Sequence, residues 1–348
     1  MGAIGNTPLV RMDRFAAELR GGQRAKLKGE SREDMRDIAT DGPQVWAKLE
    51  QFNPGGSAKD RTAWAMIEKA KAHGDIADGA TLVESSSGNL GMALSRLAII
   101  NGWDFHCVVD PRVNAATVAT MKAFGARVHM LEHPDPETGD WLIARRTKVR
   151  ELVEEIPGAI TLDQYSNTAA HDAHDHGTMT EIVDQLGTPP DYLFVAVSTT
   201  GTIGGCMRHL RRIGAATQVI AVDAEGSVLF EGKRGERHLP GYGAGVLPAL
   251  AEGLEPDRVM RIPDAEAVVG ARILARQEGL MPGASGGAVA SAVRALAPDM
   301  PGGSTVAMII HDAGLAYTSS IYNDTWVEKN LGLSADQLEA RVQQACAW

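Results

Sequence analysis

Cysteine is scarce: the 348 residues hold three, Cys107, Cys206 and Cys346, far apart and with no Cys-x-x-Cys pair. That excludes a disulfide framework and reads as free thiols in a reducing compartment, with Cys107 expected inside a strand. Long apolar runs are missing too. None approaches the roughly 18 residues that cross a bilayer, and no basic segment followed by an apolar one opens the chain as a secretion signal would. The expected location is therefore cytoplasmic. Basic charge is also in short supply, with 34 Lys and Arg against 44 Asp and Glu and a net charge of −10. No basic stripe is available to neutralise phosphates, which argues against nucleic acid as a partner. Low-complexity tracts and solenoid-length repeats are absent as well.

What is present is an alternation. Apolar strand-like runs at 45–49, 82–84, 105–109, 128–131 and 160–162 are separated by helix-like runs at 62–73, 92–101, 114–124 and 140–155. The rhythm resumes with strand-like runs at 192–197, 218–223 and 305–310 among helix-like runs at 178–186, 207–213, 265–278 and 287–296. Strand and helix taking turns in this way mark βαβ units. A chain of 348 residues is too long for one small core, so the expected fold class is α/β with two lobes. Each lobe is a mainly parallel twisted sheet flanked by helices, with a cleft between them. Residues 1–165 and 166–332 are assigned to the two lobes, the first strand being free to cross over, and residues 333–348 to a tail helix. The charged segment from Arg20 to Asp37 reads as a solvated loop or frayed helix without assigned chemistry. Residues 226–248, rich in Gly and Pro, are expected to form a long ordered loop beside the cleft.

The chemistry centres on Asn53-Pro54-Gly55-Gly56-Ser57-Ala58-Lys59-Asp60-Arg61, between a strand-like and a helix-like run. Pro54 and the two glycines force a turn, and Ser57 is a candidate helix cap. Lys59 then falls in the first helical turn, where the dipole disfavours an ammonium ion and lowers its pKa. A lysine held partly neutral can attack an aldehyde and form a Schiff base. The same residues also read as a surface lysine at an exposed loop-to-helix junction, and the motif alone leaves the two readings even.

Ser198-Thr199-Thr200-Gly201-Thr202 sits after a buried strand and before a helix. Backbone amides at such a junction point outward together and the hydroxyls add donors, which makes a phosphate cradle without a lysine. Its placement favours the cradle over an ordinary turn. Residues 85–91, with Ser86, Ser87 and Asn89, offer a second group of donors at a helix start. A carboxylate can dock there, although a plain N-cap explains the same residues. His171-Asp172-Ala173-His174-Asp175-His176 invites a metal reading, but no second ligand cluster closes it, and a solvated connector is expected with no metal bound.

In this order the motifs resemble the fold-type-II pyridoxal-phosphate enzymes of the cysteine synthase and cystathionine β-synthase family. The resemblance is carried by residues 4–11, 53–61, 86–91 and 198–202 and by Gly241-Tyr242-Gly243-Ala244-Gly245, and it spans residues 4 to 330. It implies a tryptophan synthase β-like fold, pyridoxal 5′-phosphate as cofactor, small amino-acid substrates and a homodimer. It implies Lys59 as the catalytic Schiff-base lysine, Asn89 against the cofactor's 3′-oxygen, and Ser198, Thr199, Thr200, Gly201 and Thr202 around its phosphate. Ser86, Ser87, Asn89 and Gln164 would grip the substrate carboxylate.

Within the family the details are similar to the N-(2-amino-2-carboxyethyl)-L-glutamate synthases, which serve 2,3-diaminopropionate formation for siderophores and antibiotics. The cradle reads Ser-Thr-Thr-Gly-Thr where cysteine synthases usually have Gly-Thr-Gly-Gly-Thr, Tyr165 follows Gln164, and His238-Leu239-Pro240 precedes the glycine loop. By this likeness Arg145, Tyr165 and Ser198 would recognise substrate. One departure stands out: the family commonly has a Ser against the pyridine nitrogen where this chain has Ala313, in His311-Asp312-Ala313-Gly314. Either Asp312 reaches the ring nitrogen or a backbone or water partner serves. The implied reaction is β-replacement on O-phospho-L-serine by L-glutamate through an aminoacrylate intermediate. The alternatives are a cysteine synthase or O-phosphoserine sulfhydrylase using sulfide, a serine or threonine dehydratase, and a silent binding protein on the same fold.

Overall fold

The structure, a computed structural model, describes residues 2–19 and 42–346. The charged segment from Arg20 to Asp37 lies outside the described residues. Most of the apolar runs become strands buried on both faces, as parallel sheets covered by helices require, whereas the run at 128–131 forms a half-exposed edge strand. Leu9–Arg11 (β1) pairs antiparallel with Gln44–Leu49 (β2). The four-stranded sheet takes Thr81–Ser85 (β3), Asp104–Val109 (β4), Arg127–Met130 (β5) and Ala159–Ile160 (β6), in the order β5-β4-β3-β6. Tyr192–Ala196 (β7), Gln218–Ala224 (β8), Arg258–Ile262 (β9) and Thr305–Ile310 (β10) join β1 and β2 in a six-stranded sheet ordered β1-β2-β10-β7-β8-β9. Apart from β1, the pairings are parallel.

Chain position therefore does not sort the strands as the division at residue 165 does. Both β1 and β2 sit with the C-terminal strands, so the strand leading to Lys59 belongs to the larger sheet. The last strand, β10, lies between β2 and β7, and in-register parallel pairing puts the carboxyl ends of all three side by side. Ligand sites of open α/β sheets form at those ends.

Helices cover the sheets by close approach. Asp264–Glu278 and Ala284–Leu296 cross where Gly287 lacks a side chain, since a Cβ there would stand 2.0 Å from the Ala267 carbonyl oxygen. In the smaller sheet Leu82 and Cys107 pack on the helices Lys59–His73 and Asn89–Asn101, while Val83 and Val108 pack on Val149 and Leu152 of Trp141–Glu155. Alternate strand residues thus feed opposite faces. The tail helix Ala335–Cys346 is docked, with Leu338 and Val342 buried in the core of the larger sheet. Among the described residues no helix is long and apolar enough to cross a membrane.

One expectation is corrected. The histidine run is not a solvated connector: it forms the helix Ala169–Ala173 and a π-helical turn, His174–Met179, with His174 and Asp175 buried. His174, Asp172 and Asp175 find partners inside the protein, while His176 stays exposed, so part of a polar string packs as though it were apolar. Asp175 accepts from Arg208 at 2.6 Å and also pairs with Arg212.

Candidate active site

The turn after β2 is built by what glycine permits. Gly56 has φ of +81°, and the Gly55 N–H donates to Asp60 at 2.7 Å, in a space that a Cβ would invade. The helix begins at Lys59, earlier than the run at 62–73 suggested, with Ala58 in the cap position and the Ser57 hydroxyl accepting the Lys59 N–H at 3.3 Å. Two backbone hydrogen bonds stitch this turn to the loop after β10: Ala58 N–H to the His311 carbonyl, 2.8 Å, and Ala313 N–H to the Gly56 carbonyl, 3.2 Å. Behind it, Arg61 is buried and donates to Glu50 and to Glu181. This ion-pair network holds the first helical turn in place.

The Lys59 ammonium donates to the Thr199 hydroxyl at 3.4 Å, so the amine and the proposed cradle share one cavity. Burial lowers its pKa to about 8, which makes burial rather than the helix dipole the main cause. The cradle opens at Ser198 after β7, and its helix starts at Gly201. Thr200, buried, adopts the left-handed region at φ +64° and donates its hydroxyl to the Thr199 carbonyl at 2.7 Å. A β-branched residue there carries strain, and strained backbone of this kind gathers at ligand clamps. Gly201 packs on Ala170, where a Cβ would approach within 2.9 Å.

His174 supports this region. Its Nε2 lies 3.2 Å from the hydroxyls of both Thr62 and Thr202, and its Nδ1 lies 2.9 Å from the Thr178 hydroxyl. Burial drives its pKa well down, so the ring is neutral and ties the lysine helix to the cradle helix. Sequence reasoning missed this role. The i, i+4 spacing of His174 and Thr178 was the available signal.

The third wall comes from the smaller sheet. The Ser86 hydroxyl accepts from Gly91 N–H at 2.9 Å and the Ser87 hydroxyl accepts from Arg145 at 2.9 Å. Gln164 donates to the Ser85 carbonyl at 3.1 Å. Arg145 is buried, with Asp110 3.5 Å from its Nε, so it is not a solvated surface charge. Tyr165 lies close by, its ring 5.8 Å under the Arg146 guanidinium. Asn89 donates its amide to Asp312 Oδ2 at 2.8 Å, and Tyr317 donates its hydroxyl to the same oxygen at 2.6 Å. The other Asp312 oxygen is buried without a partner among the described residues, against Gly283, where a Cβ would stand 2.1 Å away. The Asp312 carboxylate thus faces Asn89, Tyr317 and Gly283. Tyr317 carried no sequence signal, nor did the imidazole of His311, whose buried nitrogens meet no hydrogen-bond partner among the described residues.

Every site residue expected from the sequence lines one cavity of about 500 Å³. Its contents fit pyridoxal phosphate: an amine neutral near pH 8, a hydroxyl-rich strand-to-helix junction within reach of it, and a spare amide hydrogen on Asn89 for a phenolic oxygen.

Comparison with known proteins agrees. A profile of pyridoxal-phosphate dependent enzymes matches residues 1–312. Among solved structures, an O-acetylserine-dependent cystathionine β-synthase from Helicobacter pylori is 31% identical, covering 92% of this chain and 97% of its own, with a TM-score of 0.79. O-ureido-L-serine synthase with O-ureido-L-serine bound is 25% identical over 99% of this chain and 97% of its own, TM-score 0.78. A hydrogen sulfide-producing enzyme from Fusobacterium nucleatum is 25% identical over 91% and 98%, TM-score 0.77. The chain belongs to the family of pyridoxal-phosphate dependent enzymes.

Proposed function

We propose that the protein catalyses β-replacement on O-phospho-L-serine with L-glutamate as nucleophile, giving N-(2-amino-2-carboxyethyl)-L-glutamate and phosphate. The observation that carries this reading is Arg145, a buried guanidinium on the cavity wall, joined to Ser87 and close to Asp110. A fixed guanidinium suits a dianionic leaving group better than a neutral ester.

Lys59 would hold pyridoxal phosphate, which when bound would supply an electron sink for the substrate Cα. The Lys59 amine would take the Cα proton on Nζ and return it after the nucleophile has added. Ser86, Ser87, Gln164 and the backbone N–H of Asn89 at the helix start hold the substrate carboxylate, so that the Cα–H bond stays aligned with the amine. Ser198 and Tyr165 flank the leaving group with Arg145, while Thr199, Thr200, Gly201 and Thr202 carry the cofactor phosphate. Asp312 orients Asn89, whose second amide hydrogen would be free for the cofactor's 3′-oxygen.

Supplying O-phospho-L-serine with equimolar glutamate and sulfide, and weighing the products, tests the reading. The glutamate adduct is expected. Cysteine alone would reassign the protein as a sulfhydrylase, and pyruvate with ammonia would reassign it as a dehydratase.

A further inference from the structure

A second cavity, of about 450 Å³, adjoins the first. Arg112, Arg145, Tyr165, Ser198, Pro240 and Gly241 line both, so the two are contiguous across that rim. Four arginines line the second cavity, Arg112, Arg145, Arg234 and Arg237, against two carboxylates, Asp140 and Glu236. In a chain of net charge −10 this local excess of positive charge is not inherited from composition.

Three of these guanidinium groups are engaged. Arg112 donates twice to Asp110, Arg145 donates to Ser87, and Arg234 pairs with Asp140. Arg237 differs. It is half-buried, and it makes no hydrogen bond or ion pair with any described residue. Its guanidinium lies across the glycine loop: a Cβ on Gly243 would stand 2.9 Å from Nη1, and one on Gly245 3.2 Å from Nη2. Burial lowers its pKa, and the charges of Asp223 and Asp264 act in the opposite direction. A recessed guanidinium with all its donors unused carries a desolvation cost that an anion would offset.

We propose that the second cavity seats the carboxylates of the incoming nucleophile, an amine bearing two carboxylates, with Arg237 as the principal carboxylate-binding residue. This rests on the β-replacement reading and adds where the nucleophile is held. A sulfide ion needs no such seat. An amino acid with two carboxylates does, because its amine must cross the rim at Arg145, Tyr165 and Ser198 while its acid groups stay on the arginines.

The test compares holoenzyme with its Arg237→Gln variant. The absorbance change of the bound cofactor on adding O-phospho-L-serine alone reads the first half-reaction, and its reversal by glutamate or by sulfide reads the second. In the variant the glutamate concentration for half-maximal rate is expected to rise about tenfold or more, while the first half-reaction and the sulfide reaction keep their wild-type rates. Equal glutamate dependence in the two proteins overturns the proposal. So does a parallel loss in the first half-reaction, which assigns Arg237 to phosphate. Glutarate, a dicarboxylate without an amine, gives a readout independent of glutamate turnover. It should slow the sulfide reaction of the wild type and do so about tenfold less well in Arg237→Gln; equal inhibition of both, or none, overturns the seat. Inhibition by glutarate without any turnover of glutamate would keep the seat and reject glutamate as the substrate.

Discussion

The Asn89 amide, at the end of the smaller sheet, donates to Asp312 at the end of the larger one, 2.8 Å away. This hydrogen bond closes the cavity between the sheets and fixes which way the Asn89 amide points. Asp312→Ala should therefore weaken cofactor affinity about tenfold, or about 1.4 kcal/mol, as read by titrating apoprotein with pyridoxal phosphate. Tyr317→Phe, which removes the second donor to the same oxygen, should have the same sign and a smaller size. Unchanged affinity in both would detach this pair from the cofactor.

Lys59 gives a pH prediction. Its amine has a pKa near 8 because burial disfavours the charged form, and only the neutral amine can attack an aldehyde. The rate at which apoprotein captures pyridoxal phosphate should rise about tenfold per pH unit below that value and level off above it. Lys59→Ala should lose both the cofactor's absorbance and turnover. A native cofactor spectrum in that variant would remove the lysine from its role.

Arg145→Lys keeps the charge but not the planar fork that reaches Ser87. KM for O-phospho-L-serine should rise by one to two orders of magnitude, roughly 1.4 to 2.8 kcal/mol, with the cofactor spectrum unaltered. A variant with wild-type KM would leave Arg145 a structural group.

The Arg61 network sets an acid limit on stability. Glu181 is pulled from 4.5 to about 2 against the effect of its own burial, chiefly by the hydrogen bond from Arg61. A carboxylate with a depressed folded pKa stabilises the fold above its unfolded pKa, and that contribution is lost as pH falls through the folded value. The loss should therefore run from about pH 4.5 down to about 2. Glu181→Gln should cost about 3 kcal/mol at neutral pH and flatten the acid limb in that window, as followed by urea midpoints against pH.

How far the sequence could be read is clear from particular residues. The strand-to-helix junctions at Lys59 and at Ser198 to Thr202 were legible because turn residues, apolar runs and hydroxyls are local signals. The pairing of β2 with β10 was not, since nothing local tells residues 44–49 that their neighbour lies at 305–310. The same holds for Asn89 with Asp312, which are brought together only when the two sheets meet. The histidine run misled because burial of a polar side chain depends on partners supplied from a distant helix, here Arg208 and Arg212 on Asp175. Arg145 could be placed on a helix from its pattern, but whether it faced water depended on Asp110 and Ser87.

The position of β10 has a consequence for how the protein is made. The strand that separates β2 from β7, and the loop behind it that carries Asp312, come last among the described strands. Until residues 305–312 have left the ribosome, the lysine turn and the hydroxyl-rich bend have no common wall between them. Loading with the vitamin must therefore follow synthesis through residue 312, and a chain cut short before this strand would be a colourless, inert product whatever motifs it retained.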